Sequence, residues 1–286
     1  MTFTNVRIHK ISIFDFKNIG FGSINFACSK KGEQSAVDIM GLYGQNGSGK
    51  TALIDAITIL KTVLSGRSLS DDCVNYIKKG KHSAHLEYIF EIRSQEEKFN
   101  IQYSFDLVKK EAESESNIEN VDLTRKYQVA IENEVLKMSG TISGNKFKMQ
   151  PIINTSSQYE PFGPITKYNE IIGNDREIRN RLMVNKQLAN EKSQSFIFTK
   201  ETILSIRANC IINEYKLIID SLVQYGNFYL YVVDTKSAGL INLNAALPFF
   251  FRFDSEKSIS AGSIAIKLEG SSIVPTHVCE IIQKAI

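Results

Sequence analysis

Alternating apolar and polar positions in the first half of the chain predict a β-hairpin. Two runs have an apolar residue at every second position, on either side of a charged turn at residues 94–98. The first run is Leu86, Tyr88, Phe90 and Ile92, and the second is Phe99, Ile101, Tyr103, Phe105 and Leu107. A period of two places these side chains on one face of each strand and leaves the other face wet. With a further strand-like run at 127–131 and turn glycines at 140 and 144, the pattern predicts an antiparallel sheet.

Other segments have the period of an amphipathic helix. Apolar residues at i, i+4, i+7 and i+11 predict a helix that ends near Gly66. They are Leu53, Ile57, Leu60 and Leu64. Farther along, prolines interrupt residues 151–164, and helices are predicted for 175–195 and for 200–224. The mixture of strands and helices predicts an α/β protein.

A glycine-rich segment, termed the phosphate loop, lies between a predicted strand and the first helix. Residues 37–43 are an apolar run typical of a buried strand, and residues 44–51 read G-x-x-x-x-G-K-T. In this motif the glycines let backbone N–H groups point at phosphate oxygens, the lysine reaches the β- and γ-phosphates, and the threonine hydroxyl binds Mg²⁺. The predicted cofactor-binding residues are Gly44, Gln45, Asn46, Gly47, Ser48, Gly49, Lys50 and Thr51. ATP and Mg²⁺ are therefore the expected cofactors, and a purely structural glycine loop is the alternative.

The particular residues of the loop resemble those of one group of ATPases. Residues 45–51, followed by Leu-Ile-Asp-Ala-Ile at 53–57, resemble the G-x-N-G-x-G-K-[ST]…DAI pattern of ABC-type ATPases in the SMC, RecF and double-strand-break-repair group. Residues 11–19 are similar to the first strand and the N-F-[RK] turn of that group. This resemblance implies that Lys17 contacts the nucleotide phosphates, and a solvated turn lysine is the alternative. It also implies an ABC-ATPase-like P-loop NTPase head with an antiparallel β subdomain and a helical insertion.

The acidic strand that supports hydrolysis in this class is missing from the sequence. ATP hydrolysis uses four apolar residues followed by Asp-Glu, which hold Mg²⁺ and activate the attacking water. The nearest candidate ends at Asp234, but Thr235 stands where the glutamate is expected. Residues 260–262 are too short a match to an L-S-G-G signature. No catalytic residue is identified, and we expect this chain to bind ATP with little turnover.

The resemblance extends over nearly the whole chain to bacterial AAA-type, ABC-related ATPases that include the OLD-like and abortive-infection proteins. It implies a nucleotide-binding lobe with an antiparallel β subdomain at 1–150, a helical insertion at 151–225, and a return to the ATPase core at 226–286. Because the signature and Walker B motifs lie farther along in that group, we expect the chain to be the N-terminal portion of a longer protein. Dimerisation is then expected with the C-terminal portion present.

Charge and composition change this picture little. The chain has 34 basic and 31 acidic side chains and a net charge of +3, so no strong basic field marks it as a nucleic-acid binder. One basic cluster could contact nucleic acid or an effector protein encoded nearby, although an ordinary solvated face is favoured. It consists of Arg176, Arg179, Arg181 and Lys186. The four cysteines lack zinc-ligand spacing, and without a signal peptide or membrane span a cytoplasmic location with no membrane partner is expected.

Three functions are compatible with these features. The favoured one is the ATP-binding part of an SMC/RecF/OLD-like ATPase, which acts in phage defence or DNA maintenance through ATP-dependent engagement of two heads. A self-contained P-loop phosphotransferase is the second, and it would need its own catalytic acid. A nucleotide-binding regulator that never hydrolyses ATP is the third, which the missing glutamate permits.

Overall fold

The computed structural model describes residues 5–26, 40–45, 47–94, 97–111, 127–142 and 145–232. The chain divides into two compact units, residues 1–226 and 227–286. Of the second unit, the structure describes residues 227–232, which begin within a π-helical turn at Tyr225–Tyr229. The strands and α-helices given below all belong to the first unit.

Within the described residues, six strands form one antiparallel sheet in the order β2-β1-β3-β4-β5-β6. The strands are β1 (Asn5–Phe16), β2 (Ile19–Asn25), β3 (Ser83–Arg93), β4 (Lys98–Glu111), β5 (Tyr127–Ile142) and β6 (Asn145–Asn154). The expected antiparallel sheet and its central hairpin are confirmed. In that hairpin Tyr88 lies opposite Tyr103, and Phe90 lies opposite Ile101. The alternating apolar residues of both strands therefore share one buried face.

The helices connect and cover this sheet. They are α1 (Lys50–Leu64), α2 (Ile165–Ile171), α3 (Arg176–Glu191), α4 (Lys200–Asn209) and α5 (Asn213–Gln224), with a 3-10 helix at Asp71–Tyr76. Helix α3 packs on β5, and helix α2 packs on β6. Among the helices of the described residues, none combines the length and the apolar character that crossing a bilayer requires.

The second predicted helix of the region after the sheet, 200–224, is in fact two helices. Cys210 and Ile212 have extended backbone angles, and they separate α4 from α5. Between them, the Ile211 N–H donates to the carbonyl of Glu170 on α2, at an N···O distance of 3.1 Å. This tertiary hydrogen bond satisfies a backbone donor outside the helix, and the β-branched pair Ile211-Ile212 is weakly helix-forming. Apolar periodicity continues through the break, so the sequence pattern did not reveal it.

Helix α1 buries two residues of the predicted stripe, Leu60 and Leu64, but its buried face in the first half of the helix is shifted. Its buried residues are Ala52, Ala56, Ile59, Leu60, Val63 and Leu64. Leu53 and Ile57 of the predicted stripe are only partly buried. The reason is a close approach to the sheet, where the fully buried Tyr88 donates its hydroxyl to the carbonyl of Ala56 at 2.8 Å. The small alanine side chains leave room for this contact, so Ala52 and Ala56 are buried in the first half of the helix instead of Leu53 and Ile57.

The predicted buried strand before the phosphate loop is wrong for the residues that the structure describes. Residues 40–45 have no regular secondary structure, and residues 37–39 lie outside the described part. Met40, Leu42 and Tyr43 are exposed. A short apolar run becomes a buried strand when neighbouring strands bond to both of its edges. In the described part of the chain, no strand pairs with residues 40–45.

A buried glutamate joins the sheet to the segment between α3 and α4. Glu134 on β5 is 1% exposed, and its carboxylate accepts hydrogen bonds from the Ser195 hydroxyl at 2.6 Å and the Phe196 N–H at 2.7 Å. The Tyr103 hydroxyl donates to the same carboxylate at 3.2 Å. Burial raises the pKa of Glu134 to about 7, while these donors act in the opposite direction. At a pH between about 4.5 and about 7, the carboxyl group of Glu134 therefore holds a proton in the folded chain that the unfolded chain releases.

This raised pKa predicts that stability falls as the pH rises from about 4.5 to about 7, because in that window the folded chain binds the proton more tightly. Glu134→Gln removes the titration. The free energy of unfolding of the parent should therefore fall, relative to that of the variant, by on the order of 3 kcal/mol across the window. Urea denaturation of both proteins from pH 4 to 8 measures this difference. Glu191→Gln, at an exposed position, is the control, and a parent-variant difference that is independent of pH would contradict the prediction.

Candidate nucleotide-binding site

The phosphate loop leads directly into helix α1. Gly47 and Gly49 have φ angles of +84° and +92°, in the region that favours glycine. The Ser48 N–H donates to the Gln45 carbonyl at 3.2 Å, and the Leu53 N–H donates to the Gly49 carbonyl at 3.1 Å. The loop therefore closes on itself and then becomes helical. Asn46, a predicted member of the site, lies outside the described residues.

Two glycines of the loop are needed for different reasons. A Cβ atom on Gly49 would lie 2.6 Å from Cδ1 of Ile19, so the β1–β2 hairpin packs directly on this position. A Cβ atom on Gly47 would meet nothing within 4 Å. Gly49 thus allows the hairpin to approach, whereas Gly47 leaves open space on the loop surface, which a ligand could use.

Lys50 places its ammonium group over the loop. Its Nζ donates to the carbonyls of Gly44 at 2.6 Å and Gln45 at 2.8 Å, and it lies 3.1 Å from the Ser48 hydroxyl oxygen. Helix α1 begins at the same point with no acidic residue in its first turn and no side-chain cap. A cation and the positive end of a four-turn helix therefore converge on the loop, which is an arrangement that favours an anion. Thr51, the predicted Mg²⁺ ligand, is exposed in the first turn.

Lys17 lies in the turn between β1 and β2 and forms an ion pair with Asp55 of helix α1. Its Nζ is also 4.4 Å from the centre of the Tyr76 ring. Burial raises the pKa of Tyr76, and the negative charge of Asp55 adds to that effect. Lys17 is therefore partly buried and paired, which a solvated turn lysine would not be. Its predicted phosphate contact is not tested by these contacts and stays a prediction.

Three residues around the loop were not identified as site residues from the sequence. Asn18 donates its side-chain amide to the carbonyl of Gly47 at 2.9 Å. Asp55 and Tyr76 hold Lys17, as described above. Asp55 belongs to the Asp-Ala-Ile segment that carries the resemblance, so a signal for it was present. Nothing in the local sequence pattern of Tyr76 connects it with the loop.

A cavity of about 280 Å³ opens beside the phosphate loop. Ser48, Gly49 and Lys50 of the loop contribute polar groups to its lining. The rest is lined mainly by apolar side chains from the β1–β2 hairpin, the segment before the loop, and helix α1. They include Ile11, Ile13, Ile19, Ile24, Leu42 and Leu53. A ligand with an anionic end and a less polar body would match this lining.

Two of the four residues in the basic cluster on helix α3 are engaged within the fold. Arg179 forms an ion pair with Glu160. The Lys186 ammonium donates to the carbonyls of Thr155 and Ser157, both at 2.6 Å, and burial lowers the pKa of this lysine. These two side chains hold the segment between β6 and α2 in place. Arg176 and Arg181 are exposed, and the contact of this cluster with nucleic acid or an effector protein stays a prediction.

Comparison with known proteins finds similarity around the phosphate loop. Residues 39–148 match the family model described as "AAA domain, putative AbiEii toxin, Type IV TA system". No curated protein matches the chain. The matched part includes the phosphate loop, helix α1 and strands β3 to β5. It supports an AAA-type P-loop ATPase domain of the abortive-infection kind, for which nucleotide binding, typically with Mg²⁺, is implied.

The contact between Gly49 and Ile19 predicts an energetic coupling between these positions. Gly49→Ala should destabilise the fold through its positive φ and its clash with Ile19, and Ile19→Ala should relieve the clash. The double variant should therefore be more stable than the sum of the single effects predicts, by about 1 kcal/mol. Gly47→Ala is the matched control, because its φ is similar but its Cβ meets open space. Urea unfolding of all combinations measures the coupling, and equal coupling for the two glycines would contradict the prediction.

Proposed function

We propose that this protein binds ATP with Mg²⁺ at the phosphate loop, as the ATP-binding part of an SMC/RecF/OLD-like ATPase. The observation that carries the proposal is the Lys50 ammonium held over the loop at the acid-free start of helix α1. The match of residues 39–148 to an AAA domain supports the same function. An abortive-infection description of that family favours a role in phage defence, with DNA maintenance as the related alternative.

The loop suits the triphosphate of a nucleotide for three reasons. Lys50 supplies a positive charge, and its partners in the loop are neutral oxygen atoms. Phosphate oxygens are stronger acceptors for an ammonium group than carbonyl oxygens are, so a phosphate can take over these hydrogen bonds. Gly47 leaves space for a close approach, because nothing lies within 4 Å of the position of its missing Cβ. The remainder of the nucleotide can use the adjoining cavity.

Mg²⁺ would be held by the Thr51 hydroxyl together with phosphate oxygens. Hydroxyl and phosphate oxygens are hard ligands of the kind that Mg²⁺ prefers, and Mg²⁺ commonly binds through few protein groups. Thr51 is exposed in the first turn of α1, one residue after Lys50, so its side chain is accessible at the loop. The ion would supply charge neutralisation between the β- and γ-phosphates.

Lys17 is proposed to be a second contact for the phosphates. In the structure its ammonium is paired with Asp55 of helix α1. The next residue in the turn, Asn18, bonds to the phosphate loop. A triphosphate at Lys50 would bring a larger negative charge to this region than the single carboxylate of Asp55. Lys17 would then share its charge between Asp55 and the nucleotide. In this proposal Asp55 keeps Lys17 near the loop.

ATP-driven association is also part of the proposal. In the group that the sequence resembles, each ATP is shared between the phosphate loop of one head and the signature motif of another. The sequence has no L-S-G-G segment. Association would therefore need a partner that supplies the signature motif, and binding energy from the shared nucleotide would favour the closed state.

Lys50→Ala should weaken ATP binding by about tenfold or more, a loss of about 1.4 kcal/mol, because it removes the charge that neutralises the phosphates. The fold should survive, since the carbonyls that Lys50 contacts are exposed and can bond to water. Titration calorimetry with ATP and Mg²⁺ measures the affinity, and circular dichroism checks the fold. Lys79→Ala, at an exposed position outside the site, should bind like the parent. Equal binding by the parent and the Lys50 variant would show that the loop is not the site.

Turnover by this chain should be slow, below about one ATP per second. Phosphoryl transfer depends on a positioned metal and water, and the sequence has Thr235 where the glutamate that activates the water is expected. Phosphate release measured with ATP and Mg²⁺ tests this, with Lys50→Ala as the background. Faster turnover that Lys50→Ala abolishes would favour the phosphotransferase alternative. No turnover at all, with intact binding, would favour the regulator.

A further inference from the structure

The turn between strands β1 and β2 is bonded to the phosphate loop through Asn18. The side-chain amide of Asn18 donates to the carbonyl of Gly47 at 2.9 Å, across 29 residues of sequence. The next residue, Ile19, packs on Gly49. Asn18 in the turn and Ile19 at the start of β2 therefore contact two of the three glycines in the loop.

The Asn18 contact acts on a peptide group that is bonded at both ends. The Gly47 carbonyl belongs to the same planar unit as the Ser48 N–H, and the two groups point in opposite directions across a trans peptide. The carbonyl accepts from Asn18, while the N–H donates to the Gln45 carbonyl. This peptide follows a glycine with a φ of +84°, which has no side chain to restrict rotation. Asn18 thus restrains a loop glycine whose missing Cβ would meet nothing within 4 Å.

The turn that presents Asn18 is itself held firmly. The Lys17 N–H donates to the Tyr76 carbonyl at 2.6 Å, and the Lys78 N–H donates to the Asp15 carbonyl at 2.9 Å. Asp15 and Lys17 have φ angles of +47° and +53°, which are strained for residues other than glycine. Strain of this kind persists where the surroundings impose it, and it is common at functional sites. The backbone that carries Asn18 is therefore held in a fixed position beside the loop.

We propose that Asn18 is a positioning residue for ATP binding. It fixes the Gly47–Ser48 peptide, keeps the phosphate loop in the shape that accepts phosphates, and so raises ATP affinity without touching the nucleotide. The inference rests on the proposed function, because it names a further determinant of the same site. Asn18 is exposed, so its removal leaves the packing of the fold unchanged.

The test compares Asn18→Leu, which is close in shape but has no donor, with Asn18→Gln, which keeps an amide on a longer arm. Asn169→Leu, at an exposed position on helix α2, is the control. Titration calorimetry should show ATP binding about tenfold weaker for Asn18→Leu, partial recovery for Asn18→Gln, and parental affinity for the control. Thermal unfolding should give the same midpoint for Asn18→Leu as for the control.

A spectroscopic measurement follows the peptide itself in the absence of nucleotide. Labelling with carbonyl-¹³C glycine and ¹⁵N serine selects Gly–Ser peptides, and Ser48→Ala identifies the resonance of the Gly47–Ser48 pair. Its ¹⁵N shift should change in Asn18→Leu and return towards the parental value in Asn18→Gln, because the hydrogen bond to the carbonyl polarises the peptide. The control should leave it unchanged.

The outcomes separate this inference from the proposed function. If the parent does not bind ATP, the proposed function fails and the inference fails with it. If the parent binds ATP and Asn18→Leu binds equally well, the inference alone is overturned. It is also overturned if Asn18→Leu weakens binding while the Gly47–Ser48 resonance stays in place, since the effect then does not act through that peptide.

Discussion

The close packing of helix α1 on the sheet is the contact on which the phosphate loop depends. The Tyr88 hydroxyl is completely buried, so leaving it without a partner would be costly, and it bonds to a carbonyl within the helix, that of Ala56. Tyr88 lies opposite Ile11 on strand β1, which continues into the turn at Lys17. Strands β1 and β3 therefore position both helix α1 and the turn. Because the same strands position both, the turn and the start of helix α1 come into contact.

The local features of this site could be predicted from the sequence because they are encoded locally. A glycine at a positive φ, a lysine that closes the loop and a helix that follows it occupy neighbouring positions, so the motif contains them all. The β3–β4 hairpin could be predicted for the same reason, since alternation and a short turn determine its register. The match of residues 39–148 to an AAA domain agrees with this local information.

The remaining features depend on contacts between distant parts of the chain, and periodicity contains no information about them. The break between α4 and α5 is accompanied by a bond from Ile211 to Glu170, and the buried face of α1 is determined by Tyr88, 32 residues after Ala56. The exposure of residues 40–43 depends on whether other strands lie beside them. The sequence resemblance includes the turn that contains Asn18, but the hydrogen bond from Asn18 to Gly47 could be identified only in the folded structure.

The strained turn between β1 and β2 limits the amino acids that evolution can place at position 17. Valine, isoleucine and threonine are disfavoured at a φ of +53°, whatever the function of the site, whereas asparagine is well tolerated there. Backbone shape alone would thus keep this position free of β-branched residues in homologous sequences. Asparagine at position 17 would tolerate the positive φ angle but would lose the ion pair with Asp55. Lineages with lysine or arginine at this position would be those in which the charge, as well as the turn, is under selection.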